Sequence, residues 1–348
     1  MRRALALSIA ALVLAAACGG SAVAPSPTPT VAASSAATAT ATPKPSPFKL
    51  VVSYSNIIGD ELPLWATKEG GFFEQNALDI GDLQNIASAQ GVPAVISNNV
   101  QIAQVGGSEA LSVNAEGGDL VVVAQLAGVY PFVLEVAAPI KTIADLKGKK
   151  VGVSSVGSSS DIATRAALKK MGLDPDKDVV IVAVGSAAQR TAAMLSGAID
   201  AGVSQPPDSL AVEAKGFHVL YDLASQRLPS ANTSVVVTRT FLNANRAVVQ
   251  RYVDSLVQGI KKMKAERQFG IDVLKKYFKS TDDTAMAATY DFYAQLVTST
   301  QPFPRPEMFA DAQTILGAKS DKVKNYDVTK MLDTTFVQSA IDRGLDKK

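Results

Sequence analysis

The sequence predicts an α/β protein of two similar lobes, each a mostly parallel sheet flanked by helices, with a ligand cleft between the lobes. Three observations predict two such lobes. Strand-like and helix-like patterns alternate from Lys49 to about residue 220, which implies parallel sheets whose ligands meet the carboxyl ends of the strands. Residues 94–117, AVISNNVQIAQVGGSEALSVNAEG, recur without a gap at 193–216 as AMLSGAIDAGVSQPPDSLAVEAKG. The stretch from Phe48 to Lys348 is also longer than one hydrophobic core usually serves.

The N-terminus sets the compartment. Arg2 and Arg3 precede an apolar run from Ala4 to Ala17, too short to span a bilayer as a stable helix but suited to a secretory signal. Cys18 follows directly and is the only cysteine, so no intramolecular disulfide and no multi-cysteine metal site can form. Its position resembles the acylated cysteine of bacterial lipoproteins; Ala15, Ala16 and Ala17 also satisfy ordinary signal cleavage, so both routes stay open. From Gly19 to Pro47 the chain is Ala, Ser, Thr and Pro with Lys44 its one charge, a composition that cannot repay the entropy of ordering. If extended, that tether reaches about 90 Å. Removing Arg2 and Arg3 from 34 basic residues leaves 32 against 32 acidic, and nothing in that balance asks for nucleic acid.

Within the folded part, strands are expected at 49–54, 78–82, 100–105, 119–126, 149–154, 179–184, 199–203 and 217–220, with helices at 61–70, 87–98 and 108–116. Val133–Ala137 and Ser234–Thr238 read as crossings into and out of the second lobe. The expected division is a signal at 1–17, a tether at 18–47, lobe 1 at 48–137 and again at 238–348, and lobe 2 at 138–237. The returning part is helical: 246–267 carries Val249, Tyr252, Val253, Leu256, Ile260 and Met263 on one face, followed by helices near 269–278, 283–297 and 306–316, with Pro302, Pro304 and Pro306 forcing a break.

One stretch stands out chemically. KVGVSSVGSSSD at 150–161 is a short strand, a Gly/Ser turn and a helix start, which presents backbone N–H groups and hydroxyls to an anion or polar group. It has neither the P-loop lysine nor the GxGxxG of a dinucleotide site. The series IKTIADLKGKKVGVSSVGSSSD, GLDPDKDVVIVAVGSAAQRTAAMLSGAIDAGVSQPP and ELPLWATKEGGFFEQNALDI resembles the nitrate/sulfonate/taurine-type substrate-binding proteins of bacterial ABC importers, a group that includes thiamine-pyrimidine precursor binders. The resemblance covers about 48–300. It implies a two-lobed type II periplasmic-binding-protein fold with two crossing segments, closure on a small ligand, delivery to an ABC permease with its ATPase, and an extracytoplasmic, lipid-anchored monomer without a cofactor.

Carried onto this chain, the resemblance implies ligand contacts at Ser53, Tyr54, Ser55 and Asn56, at Gly107 and Ser108, at Gly157, Ser158 and Ser159, and at Gln205 and Pro206, with Trp65, Gln125 and Ser154 added as cleft candidates. Plain readings stand beside these. Ser158 and Ser159 can cap a helix, Trp65 can fill a core, Glu109 and Asp208 can complement helix dipoles, and Arg165 and Arg190 can be solvated or paired. Where sulfonate binders often carry an aromatic after the Asp-Ala pair, here Asp200 and Ala201, this chain has Ser204, Gln205 and Pro206, which leaves an uncharged or larger ligand open. Enzyme chemistry is not expected: His218 is the single histidine, in a strand pattern, and neither a GxSxG elbow nor an SxxK pair occurs.

Overall fold

The computed structural model describes residues 46–347. The signal segment, Cys18 and the tether up to residue 45 lie outside the described residues. Among the described residues twelve strands form: β1 (Phe48–Leu50), β2 (Val52–Tyr54), β3 (Leu78–Ile80), β4 (Gln84–Asn85), β5 (Ile102–Val105), β6 (Leu120–Val129), β7 (Val133–Val136), β8 (Lys150–Val153), β9 (Val180–Ala183), β10 (Ala201–Ser204), β11 (His218–Asp222) and β12 (Pro229–Thr238). One sheet has the order β4-β2-β5-β12-β6, and the other, read in the same sense, β9-β8-β10-β7-β11. β1 and β3 make a separate parallel pair.

The two sheets have one plan. In the first, β2 pairs parallel with β4 and β5, and β12 runs antiparallel between β5 and β6. In the second, β8 pairs parallel with β9 and β10, and β7 runs antiparallel between β10 and β11. Each sheet therefore takes its reversed strand from the chain just after it crosses over. The helices repeat as well: α1 (Leu62–Glu69), α2 (Ser88–Ile96) and α3 (Gly107–Ala115) belong with the first sheet, while α4 (Ser159–Lys170), α5 (Ala187–Leu195) and α6 (Asp208–Glu213) belong with the second. β5 and α2 map onto β10 and α5 at the offset read in the sequence. The shared Gly117 and Gly216 have φ of 99° and 95°, the left-handed backbone that closes a helix and that glycine adopts without strain.

Past β12 the chain is helical, led by Arg246–Ala265, whose six apolar-face residues from Val249 to Met263 are all buried. They share a core with Trp65, Phe73, Ile102 and Val235 on one side of the first sheet. The helix expected at 283–297 ends at Phe292 and continues as one π-helical turn, Tyr293–Val297; the segment after the prolines starts as a 3-10 turn at Pro306 before the helix Ala310–Gly317. A second core joins Val105 and Leu111, beside the first sheet, to Val151 and Leu168, beside the second. Among the described residues no helix is long and apolar enough to cross a membrane.

Candidate ligand-binding site

A cavity of about 250 Å³ lies between the two sheets. Strand-to-helix turns build both walls. The first sheet contributes the turn after β2 with Ser55, Asn56 and Ile58, the start of α2 with Ala87 and Gln90, and Gly106 with Glu109 at the start of α3. The second contributes Ser154 and Ser155 after β8, Ser158 to Ser160 at the start of α4, Gly185 to Ala187 with Gln189 and Arg190 at the start of α5, and Gln205 after β10. Phe132, Asn232 and Thr233 line it from the crossings. Four helix N-termini thus converge on one space, and their first N–H groups have no partner within their own helices. Each N-terminus also carries a partial positive charge.

The second wall is tied down by its own hydroxyls. The Ser158 side chain caps α4, donates to the Ser155 carbonyl at 2.7 Å and lies 3.0 Å from the Ser160 hydroxyl, while the Ser154 N–H donates to Ser160 Oγ at 2.9 Å. Ser186 and Gln189 form a reciprocal capping box on α5. Arg190, one residue further on, is buried; its Nε donates to the Val203 carbonyl at 2.7 Å and its Nη1 to Ser154 Oγ at 2.9 Å. Burial pushes its guanidinium down to about 10, with the nearby Asp208 charge acting the other way. It stays charged at neutral pH. Behind the first wall, Asp60 accepts hydrogen bonds from Asn232 and, at 2.9 Å, from Thr233; burial pushes its carboxyl up to about 6 although these bonds favour the anion.

Of the residues expected at the site, Ser55, Asn56, Ser154, Ser158, Ser159 and Gln205 line the cavity. The others do not. Ser53 and Tyr54 are buried within β2, with Tyr54 edge-on to Trp65. Trp65 is a core residue, fully buried and stacked on Tyr277 at 4.6 Å, because α1 turns that face away from the cleft. Gln125 is used up inside the first sheet, donating to the Ala127 and Thr233 carbonyls and accepting from Ser234. Gly107 packs against Ala231 and Phe309, where a methyl would come within 2.4 Å and 2.7 Å of their side chains, and Ser108 faces a small neighbouring space beside Tyr130 and Ser230. Pro206 lies next to the lining, in a cis bond to Pro207. Gly157, at φ 84°, gives its N–H to Asp161 Oδ2 at 2.8 Å, so the backbone cradle expected there is closed by the chain's own carboxylate. Asp161 in turn holds Arg165 at 2.8 Å, which pairs with Asp176 as well.

Arg190 is the main residue that sequence reasoning set aside. Its signal was present: the strand, the glycine and the capped helix of 180–190 have the grammar of 150–161. Asn232 and Thr233 were missed because β12 starts at Pro229, five residues before the expected crossing.

Two matched α/β sheets with a polar cavity at the carboxyl ends of their parallel strands define a periplasmic-binding-protein fold. The chain belongs to the NMT1/THI5-like family, whose model matches residues 59–268. Among solved structures it is similar to a protein from Bordetella bronchiseptica RB50 (22% identity, TM-score 0.71, covering 85% of this chain and 98% of the other). It is similar to the periplasmic aliphatic sulphonate binding protein SsuA from Escherichia coli (23%, 0.67, 83% and 93%). It is also similar to the desulfurization enzyme DszB (18%, 0.60, 84% and 99%). No curated protein matches the sequence.

Proposed function

We propose that the chain is an extracytoplasmic solute-binding protein of an ABC importer, which closes over a small polar or anionic organic ligand and delivers it to a permease. One observation carries the reading: four helix N-termini and the buried Arg190 converge on a single cavity between two sheets. Hydrogen bonds to a charge contribute roughly 1.5–3 kcal/mol each. Three or four of them reach the roughly 8 kcal/mol of a micromolar complex. The sulphonate binder among the similar structures makes sulfonates the first compounds to try. In this reading lobe 1 is 48–137 with 238–348, lobe 2 is 138–237, and Cys18 is lipidated so that the 18–47 tether holds a monomeric domain just off the membrane.

The binding test is a thermal-shift screen of the chain against sulfonates, nitrate, pyrimidines, amino acids and neutral sugars, since a ligand of the native state raises the melting temperature, by about 2.7 kcal/mol of stability at a hundredfold excess over Kd. Anionic compounds should shift the native chain, and Arg190→Gln should abolish the shift. A chain shifted by sugars alone would overturn the anion assignment. Anchoring is checked by detergent phase partition: the native chain should enter the detergent phase and Cys18→Ser the aqueous one, whereas equal partition would remove the lipid. The DszB likeness favours one rival, an exported enzyme on this fold. Turnover of the bound compound, followed by mass spectrometry, is the result that would favour it.

A further inference from the structure

We infer that Tyr293 is a positioning residue that latches the cleft: its hydroxyl joins Asp60, behind the first wall, to Gln205 on the second, and favours the closed arrangement before any ligand enters. This rests on the closing motion of the solute-binding reading and goes beyond it, since the chain itself supplies part of the bias toward closure.

Three separate parts of the chain meet here. Asp60 sits in the 3-10 turn Gly59–Glu61 that follows β2, Gln205 follows β10 of the second sheet, and Tyr293 begins the π-helical turn Tyr293–Val297. All three side chains are buried. The Tyr293 ring occupies the space beside Gly59, where a methyl would run into its Cδ2, Cε2 and Cζ, so glycine is what lets the ring reach the turn that carries Asp60. The π-turn is pinned from outside. Lys264 Nζ donates to the Ala294 carbonyl, Arg227 Nη1 to the Gln295 carbonyl at 3.3 Å, and the Thr298 N–H to the Tyr293 carbonyl at 2.9 Å. Such turns are rare and recur at functional sites.

The bonding at this junction is unfinished. The Tyr293 hydroxyl faces the Asp60 carboxyl, toward which it is a donor, and the Gln205 amide. Yet Tyr293 Oη, Asp60 Oδ1 and Gln205 Oε1 are buried without a well-aligned hydrogen bond. A buried polar group short of its bond costs about 1–3 kcal/mol. A small further approach of the walls completes the set, and separation of the walls takes Gln205 away from the other two, so the hydroxyl gains most when the cleft is shut. Burial holds the phenol well above its ordinary range, and it keeps the proton it donates. The second oxygen of Asp60 is already engaged by Asn232 and, at 2.9 Å, by Thr233 of β12, while Ser159 Oγ on the second wall donates to the Asn232 carbonyl at 3.2 Å. The junction therefore touches both walls and one crossing. Tyr290, one turn earlier, shows the ordinary alternative: its buried hydroxyl has a fixed partner, the Met263 carbonyl at 2.7 Å.

Spin-label distance measurement on the ligand-free chain decides it. Ile57 and Val156 stand on the turns after β2 and β8, 46% and 68% exposed, one on each lip of the cleft. Labels at Ile57→Cys and Val156→Cys, in a Cys18→Ser chain that has no other cysteine, report the width of the cleft. With Tyr293 intact the narrow distance should dominate. Tyr293→Phe keeps the ring beside Gly59 and removes only the oxygen; it should raise the ratio of wide to narrow about tenfold or more, the scale of one hydrogen bond to a charge. Tyr290→Phe should lower the melting temperature and leave the width unchanged. Gln205→Met should widen the cleft by itself and add little to Tyr293→Phe, because both break the same bond. Identical distributions with and without the Tyr293 hydroxyl overturn the latch, and so does equal widening by Tyr290→Phe. Additive widening by Gln205→Met and Tyr293→Phe overturns the assignment of Gln205 as the partner. A single fixed width in every chain removes the closing motion, and the solute-binding reading loses its mechanism along with the latch. Two widths whose ratio ignores Tyr293→Phe leave that reading standing and remove only this inference.

Discussion

Glu135 is buried in β7, accepts a hydrogen bond from the Ser204 hydroxyl, and is pushed by burial up to about 8, with the neighbouring Glu213 and Asp208 charges adding to the rise. In the unfolded chain the same carboxyl ionises near its ordinary value. Between those two values the folded state holds a proton that the unfolded state has released, so stability falls as the pH rises through this window. It is fully present below about 4.5, and the loss is complete above about 8. Asp60 acts in the same direction over a narrower window, ending near 6. Glu135→Gln removes the proton linkage while leaving an amide oxygen for Ser204. We expect the variant to be more stable than the native chain by about 2 kcal/mol or more at pH 8.5 and nearly equal to it at pH 4.5. Urea unfolding at the two pH values measures this, and parallel profiles for the two chains would remove Glu135 as the linked group.

At the scale of elements, most of the strands and helices that build the site were legible because local chemistry and tertiary need agree. β-branched runs such as KVGV and VIVA end in Gly/Ser turns, and Ser158 and Ser186 cap the helices that follow. The repeat was legible for the same reason, since Gly117 and Gly216 answer one backbone demand at equivalent helix ends. β12 was legible only in its second half. Its opening, Pro229-Ser-Ala-Asn-Thr, is polar and reads as loop; it is a strand because it crosses between the sheets, where Asn232 and Thr233 find Asp60. The same limit explains the site residues. Ser158 and Gln205 follow from position at a strand end, whereas Trp65 and Arg190 each depend on which way a helix faces. A lone tryptophan and a helical arginine carry no sign of that facing in their neighbours, and three-dimensional packing exchanged their expected places.

For the whole molecule, the question is what a ligand does to two walls joined by two crossings. The crossings are short and bonded to each other: the Leu223 and Ala224 N–H groups donate to the Phe132 carbonyl at 3.1 Å and 3.0 Å, so a closing motion would have to bend them together as one hinge. Across the cleft, Ser159 Oγ donates to the Asn232 carbonyl at 3.2 Å, a contact between the second wall and the crossing strand. A ligand that bonds Arg190 on one wall and the α2–α3 side on the other has its full set of contacts only when the walls are together, so its binding energy is also the closing energy. A shift from one closed molecule in a hundred to ninety-nine requires about 5.5 kcal/mol of differential affinity, within what three or four charge-assisted bonds supply. Small-angle scattering of the chain should therefore show a smaller radius of gyration when a binding anion saturates it. Arg190→Gln should lose the compaction together with the affinity. Ala224→Pro acts on the hinge alone, by deleting one of the two bonds to Phe132; it should change the free chain's radius and shift affinity by the same population factor without touching the ligand. Compaction that persists in Arg190→Gln at saturation, or a hinge variant that changes the radius and leaves affinity alone, would separate motion from binding and refute the coupling.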